Sequence, residues 1–346
     1  MAASLNNLAW LEWITGLVGG KSRQTYAATF PPDHCYCLLD ELPLHLVPQP
    51  AFRSWRAQKN RNLCLNPECT LRLAEDFPDE FSACQDLLSG FALQGTIAWV
   101  RDSTCGSLLP FWLGPELESV VRELRRHESI PSSVPSSVRS LLAAAGILVA
   151  EGNSTQHDPA REAVLRKAST YFREKGYVPL SGLIHPFHVA ALRRYYRYRI
   201  RTGAIHLGDR QSERRYVAHN EPVARFFHHH IARLLSAVAG EPLKPSYVYL
   251  ASYLSGAELK KHTDREQCEF SVTLCLDFSP EPALATPWPI RLDTPAGTVT
   301  VYQALGDGLA YRGTRLPHYR SPLGAGQTST SIFFHYVSAD FSGMLN

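Results

Sequence analysis

The stretch YLSGAELKKHTDREQCEFSVTLCLDF, residues 253–278, contains a polar motif that lies between the end of one β-rich segment and the start of the next. His262 and Asp264 stand two residues apart, and a strand or its exit puts such residues on one face, so the imidazole and the carboxylate converge on one point. Two such side chains can chelate one metal ion. The chain has 14 His, so a single His-x-Asp can arise by accident, and its surroundings must decide.

A third candidate ligand, His318, follows Pro317 and lies 54 residues after Asp264, in a segment that can run beside the first. Two imidazoles and one carboxylate on one face leave about three coordination positions open, which suits non-heme Fe(II) that binds a bidentate cosubstrate and then O₂. Catalytic zinc usually leaves a single open position. The three residues therefore favour Fe(II) over zinc.

Short segments rich in β-branched and aromatic residues, each bounded by Gly or Pro, fill the chain from residue 246 onward. Before them the periodicity predicts a helix over 158–175, a strand over 176–184 and a second helix over 185–199. Helices followed by seven or eight strands predict an α+β domain whose strands form a sandwich or jelly roll. The predicted strands are 246–254, 269–278, 289–293, 298–304, 308–312, 317–322 and 329–337.

A wider set of residues accompanies the three candidate ligands: Tyr253, Gly256, Leu259, Arg265, the alternating strand 270–276, Gly306, Asp307, Tyr311 to Gly313, Arg320 and the last strand 331–337. This set resembles the Fe(II)/2-oxoglutarate-dependent dioxygenase superfamily in its prolyl-hydroxylase-like branch, closely over 246–337 and weakly back to about Tyr171. The resemblance implies a double-stranded β-helix with flanking helices, in which His262, Asp264 and His318 hold Fe(II). It also implies 2-oxoglutarate and O₂ as cosubstrates, hydroxylation of an unactivated C–H, and release of succinate and CO₂.

One departure from the resemblance concerns the far carboxylate of 2-oxoglutarate, which usually pairs with an Arg or Lys about ten residues after the distal His. Residues 326–330 here are GQTST, with no cation. A carboxylate inside a barrel still needs a charge partner. Arg320, two residues after His318 and so on the same strand face, is the best candidate, with Tyr253, Thr328 and Thr330 as hydroxyl donors. Arg312 and Arg265 are the reserve candidates. Two alternatives stay open: the cosubstrate is another 2-oxo acid, or the protein is a metal-binding sensor or scaffold without catalysis.

The sequence divides into four parts: an N-terminal region of unknown fold (1–108), a winged-helix-like module (109–151), a linker (152–160) and the oxygenase domain (161–346). We expect the part before the linker to be mainly helical. Residues 111–150 show the order helix, turn, helix, strand, which is similar to PqqD-like modules that deliver substrate peptides to modifying enzymes. That similarity favours a peptide, protein or carrier-tethered substrate over a free small molecule. A helical packing segment without a ligand is the alternative.

The composition excludes several classes of protein. A net charge of +3 is too close to balance to indicate nucleic acid, although 193–201 mixes Arg with Tyr as nucleic-acid sites do. No apolar run is long enough to span a bilayer, and the N-terminus lacks the basic residues of a secretory signal, so we expect a cytoplasmic protein with reduced thiols. Cys35, Cys37, Cys64 and Cys69 could bind zinc, but buried free thiols are the commoner case.

Overall fold

The structure, a computed structural model, describes residues 30–40, 62–73, 75–82, 84–102, 106–124, 129–151 and 159–345. Up to residue 151 the described part of the chain consists of short strands, two short α-helices and two turns of 3-10 helix, Asp79–Phe81 and Gln85–Leu88. The elements are β1 (Leu63–Leu65), β2 (Cys69–Leu73), β3 (Thr96–Arg101), β4 (Leu108–Leu113), α1 (Pro115–Glu123), α2 (Ser136–Ala144) and β5 (Leu148–Ala150).

This arrangement differs from the expected mainly helical N-terminal region. Strands β2, β3 and β4 form an antiparallel sheet, and β5 pairs with β1. Every residue of β4 and all but the last of β3 are buried, so neither strand shows the polar alternation that marks a strand in sequence. The predicted order helix, turn, helix, strand is present, but the division at residue 108 falls in β4, which pairs with β3. The division of the chain into four parts stays a prediction.

The second half of the chain begins with long helices whose ends carry recognisable caps. Helix α4 starts after His185, whose ring accepts the Phe187 N–H, and α5 starts after Glu221, whose carboxylate accepts the Ala224 N–H. Gly240 ends α5 in the left-handed conformation at φ +79°. These elements are α3 (Pro159–Lys175), β6 (Tyr177–Leu180), α4 (Pro186–Arg201), β7 (His206–Leu207), β8 (Arg215–His219) and α5 (Pro222–Ala239).

The last eight strands divide equally between two antiparallel sheets. The larger sheet has the order β6-β14-β11-β16-β9-β8-β7 and the smaller has β10-β15-β12-β13. This is the topology of a jelly roll, so the predicted C-terminal architecture is confirmed. The strands are β9 (Leu243–Tyr253), β10 (Leu259–His262), β11 (Phe270–Ser279), β12 (Ile290–Thr294), β13 (Gly297–Val301), β14 (Gly308–Arg312), β15 (His318–Arg320) and β16 (Thr328–Ser338).

The two faces of the larger sheet have different neighbours. On one face, Ile332 and Phe334 of β16 join the main core beneath the helices. On the other, Phe333 packs with Tyr253 and Trp288 in the space between the sheets. The described N-terminal residues contact the helices: His188 Nε2 of α4, for example, is 2.9 Å from the Pro110 carbonyl oxygen. They therefore cover the helical side of the larger sheet, away from the space between the two sheets.

Candidate active site

His262, Asp264 and His318 come together at the edge of the smaller sheet. His262 ends β10 and His318 begins β15, and the two residues are direct partners in the antiparallel ladder. Asp264 follows two residues after β10, and its Oδ1 is 3.6 Å from His262 Nε2 and 3.5 Å from His318 Nε2. One ligand atom from each residue lies within 4.8 Å of the others. Strand pairing thus brings His318 beside His262 and Asp264, which lie at least 54 residues earlier in the sequence.

Backbone carbonyls fix the orientation of both imidazoles. His262 Nδ1 donates to the Lys260 oxygen at 2.7 Å, and His318 Nδ1 donates to the Leu316 oxygen at 3.0 Å. Because each Nδ1 carries the proton, each Nε2 presents its lone pair to the space beside Asp264. The ring of Tyr311 packs on His318, with centroids 4.7 Å apart. In its neutral form each ring therefore offers Nε2 as a donor, which is the form that a metal requires.

Two residues that sequence reasoning missed, Ser271 and His335, orient the carboxylate. Ser271 Oγ donates to Asp264 Oδ2 at 2.7 Å, and His335 Nδ1 is 2.9 Å from the same hydroxyl. Since the single hydroxyl hydrogen of Ser271 goes to Asp264, His335 must donate to Ser271. The chain of bonds leaves Oδ1 of Asp264 facing the two imidazoles.

Mutual contact shifts the pKa values of the three candidate ligands. Burial by itself would raise the pKa of Asp264, but the contact with His262 and the proximity of His318 hold it at about 2. Contact with Asp264 raises the pKa of His262, whereas burial lowers the pKa of His318. The carboxylate is therefore ionised at neutral pH, and the site offers a cation one negative charge and two nitrogen donors.

Arg320 lies on the same face of β15 as His318 and is 5% exposed. Its Nη1 donates to the Trp288 carbonyl oxygen and its Nη2 to Gln303 Oε1 at 3.1 Å, while the guanidinium stacks 4.7 Å from the Trp288 ring. Its Nε is buried and has no hydrogen-bond partner. Among the described residues no carboxylate forms an ion pair with Arg320. A buried cation without a counter-ion fits an anionic ligand, since isolated buried charges are costly.

The three predicted hydroxyl donors have different positions. Tyr253 borders the space near Arg320, with its ring 5.1 Å from that of Trp288. Thr330 donates instead to Ser252 Oγ at 2.8 Å, and it alternates along β16 with Ser329 and Ser331. Thr328 and Thr330 thus share the face of Ile332, which packs under the helices, and we leave both out of the proposed site. The reserve cation Arg312 lies 3.7 Å from Glu241, and Arg265 donates to Tyr247.

Residues 205–220 contain two short strands, β7 and β8, at the edge of the larger sheet. Residues 215–219 form β8, which pairs with β9, and Arg215 is buried opposite Tyr253. Arg215 Nε donates to Asp209 Oδ2 at 3.1 Å, and Tyr249 donates to the same oxygen at 2.5 Å. This second buried cation, which we did not anticipate, already has a carboxylate partner, unlike Arg320.

Other motifs singled out in the sequence have structural roles. Arg193 and Arg197 pair with Asp277 of β11, so the arginines of 193–201 are largely occupied within the chain. Three consecutive histidines at 228–230 lie on α5 and point in different directions: His228 Nε2 is 2.8 Å from the His335 carbonyl oxygen and His230 faces Asp102. Two groups in the described residues could hold a metal, the three candidate ligands and the neighbouring Asp264, Cys268 and His335. Neither includes the N-terminal cysteines.

No protein-family model matches the chain, and no curated protein matches it. Several solved structures are similar to about half of it. The non-heme alpha ketoglutarate dependent epimerase SnoN from nogalamycin biosynthesis gives a TM-score of 0.44 at 15% identity, over 51% of this chain and 84% of that one. A Pseudomonas putida prolyl-4-hydroxylase gives a TM-score of 0.42 at 18% identity, over 50% of this chain and 98% of that one. HygX from Streptomyces hygroscopicus, with nickel, 2-oxoglutarate and hygromycin B bound, gives a TM-score of 0.40 at 14% identity, over 51% of this chain and 88% of that one.

Proposed function

We propose that the chain is an Fe(II)- and 2-oxoglutarate-dependent oxygenase. The observation that carries the proposal is the pairing of a two-His, one-carboxylate ligand set with a buried, unpaired arginine on the same strand face. The two-His, one-carboxylate set is suited to a divalent metal, and the arginine is suited to an anionic group. A 2-oxo acid that also carries a distal carboxylate satisfies both.

In this proposal His262, Asp264 and His318 hold Fe(II), and Arg320 binds the distal carboxylate of 2-oxoglutarate beside Tyr253. With O₂, the bound iron and cosubstrate would supply the chemistry that hydroxylates an unactivated C–H and releases succinate and CO₂. The remaining task of the protein is to orient the substrate and to exclude water. The lining of Trp288, Tyr253 and Phe333 provides an apolar wall for that purpose.

Our proposal is less specific about the substrate than about the reaction. A peptide, protein or carrier-tethered substrate remains our prediction, with a free small molecule as the alternative. The described N-terminal residues contact the helical side of the larger sheet, so they supply no wall of the space between the sheets. No helix in the described ranges combines the length and apolar character that a membrane span requires. The expected cytoplasmic location stays a prediction.

The test is an anaerobic titration of 2-oxoglutarate into the Fe(II)-loaded protein, followed by the visible charge-transfer band of a chelated 2-oxo acid. We expect the band in the wild type, a weakened band in Arg320→Ala, and no iron binding in His262→Ala. Circular dichroism should show that both variants are folded. Full turnover by His262→Ala would refute the assigned ligand set. Iron binding without the band would instead favour a metal-binding sensor or another 2-oxo acid.

A further inference from the structure

Gln303 makes three hydrogen bonds that fix the direction of its amide. It is 3% exposed and lies in the turn between β13 and β14. Its Nε2 donates to the Thr273 carbonyl oxygen at 2.9 Å and to the Asp307 carbonyl oxygen at 3.1 Å. Both amide hydrogens are therefore used by backbone oxygens, and Oε1 has to face Arg320, from which it accepts a bond at 3.1 Å.

A neutral acceptor at this position has a chemical consequence for Arg320. The guanidinium is held by two neutral groups, Gln303 Oε1 and the Trp288 carbonyl oxygen, so its direction is fixed while its positive charge is not cancelled. A carboxylate in place of the amide would form an ion pair with it. Arg215 illustrates that case, because Asp209 already accepts two of its N–H groups.

A second buried group lacks a partner in the same space. Ser331 Oγ is buried without a hydrogen bond, as Arg320 Nε is. Ser331 pairs with Cys275 across the β11–β16 ladder, and Arg320 is close enough to Cys275 to act on its thiol electrostatically. Ser331 and Thr330 are consecutive in β16, so their side chains lie on opposite faces of the larger sheet. Thr330 lies on the helical face, and Ser331 therefore faces the smaller sheet. A donor hydroxyl and a free guanidinium N–H thus border one region, and buried polar groups of this kind normally have partners.

We propose that Gln303 is a positioning residue that keeps Arg320 oriented and uncompensated, and that Arg320 and Ser331 together select a 2-oxo acid with a second carboxylate. This inference rests on the proposed function and deepens it. It assigns cosubstrate selection to β15, β16 and the turn before β14. The hydroxyls of Thr328 and Thr330 take no part.

The experiment compares 2-oxoglutarate with 2-oxopentanoate, which has the same chain length but lacks the distal carboxylate. Both are titrated by calorimetry into Zn(II)-loaded protein, so that binding is measured without turnover. We expect the wild type to prefer 2-oxoglutarate by roughly 10- to 100-fold, as for hydrogen bonds to a charged group. Gln303→Glu should remove most of that preference, and Gln303→Met, which leaves Arg320 charged but untethered, should remove part of it. Affinity for 2-oxopentanoate should stay within about threefold in both.

Ser331→Ala should weaken 2-oxoglutarate binding roughly 3- to 10-fold, whereas the matched control Thr330→Val, whose hydroxyl is already bonded to Ser252, should not. Retained 2-oxopentanoate binding shows that each variant is folded. An unchanged preference in both Gln303 variants, or an equal loss of both ligands, would overturn the inference and leave the proposed function standing. A wild type that binds neither 2-oxo acid would overturn the proposed function and the inference together.

Discussion

Gly313→Ala is expected to disrupt the proposed metal site while leaving the barrel folded. Gly313 follows β14, and its carbonyl oxygen accepts the Asp264 N–H at 2.9 Å. A Cβ at this position would lie 2.3 Å from Asp264 Oδ2, 2.4 Å from the Cys268 carbonyl oxygen and 2.7 Å from Ser271 Oγ. Ordinary contact begins at 3.4 Å, so the carboxylate would have to move by about 1 Å. The Cys268 oxygen belongs to the backbone and cannot rotate away.

The expected magnitude follows from this displacement. Moving a ligand carboxylate by about 1 Å, and disturbing the hydroxyl that orients it, should weaken metal binding on the order of 100-fold. Overpacking should also cost about 1–3 kcal/mol of the free energy of unfolding, which lowers the melting temperature by roughly 2–12 °C in a domain of this size. Gly313 does not have a positive φ, so the effect comes from the contact and not from backbone strain.

The assay is calorimetric titration of Mn(II), a redox-stable substitute for Fe(II), together with a thermal melt of the metal-free protein. Gly114→Ala is the matched control, because a Cβ there meets nothing within 4 Å and the backbone has φ −70°. It should bind Mn(II) as the wild type does. If Gly313→Ala folds and also binds Mn(II) with wild-type affinity, then Gly313 does not constrain Asp264 and the reasoning fails.

Two further variants test groups around the site. Ser271→Ala should lower metal affinity about 10- to 100-fold, because it removes the donor that orients Asp264, and calorimetry showing no loss would contradict this role. Burial opposes ionisation of Asp209, but bonds from Arg215 and Tyr249 lower its pKa from 3.8 to about 2. The ionised form of Asp209 therefore contributes about 2 kcal/mol to the free energy of unfolding. This contribution is present above pH 3.8 and is lost as the pH falls towards 2. Urea unfolding should show Asp209→Asn less stable by about that amount at pH 7, with a difference that shrinks below pH 4; an equal difference at both pH values would be inconsistent with it.

The sequence predicted seven of the last eight strands, all except β10, because their composition and their bounding turns are local signals. The segment predicted at 308–312 coincides with β14, and that predicted at 329–337 differs from β16 by one residue at each end. Strands β3 and β4 of the N-terminal region were missed because they are buried on both faces. Strand β8 was not among the predicted strands, since its polar residues Arg215 and His219 hide the alternation.

The candidate ligands could be predicted, but the residues that hold them in place could not. His262 and Asp264 are two residues apart, and His318 lies in a later segment that was expected to run beside the first. Ser271 and His335 act together only because β11 and β16 pair in one register, which sets them opposite each other across 64 residues. Gln303 reaches Arg320 from a turn. Such partners depend on strand register, and neither periodicity nor composition determines it.

The position of Arg320 bears on the choice between an oxygenase and a metal-binding sensor. The sensor hypothesis arose because residues 326–330 lack a cation, yet β15 and β16 border the same space between the sheets. What recognition requires is the position of the guanidinium relative to the metal ligands, and His318 and Arg320 share one face of a single strand at a spacing of two residues, or about 7 Å. That spacing cannot vary unless the strand itself deforms. Retaining a buried, unpaired arginine there is costly for a protein that binds only a metal, because a neutral side chain would fill the space at lower free energy. The cost is explained if an anionic cosubstrate compensates the charge on binding, so the buried arginine favours the oxygenase.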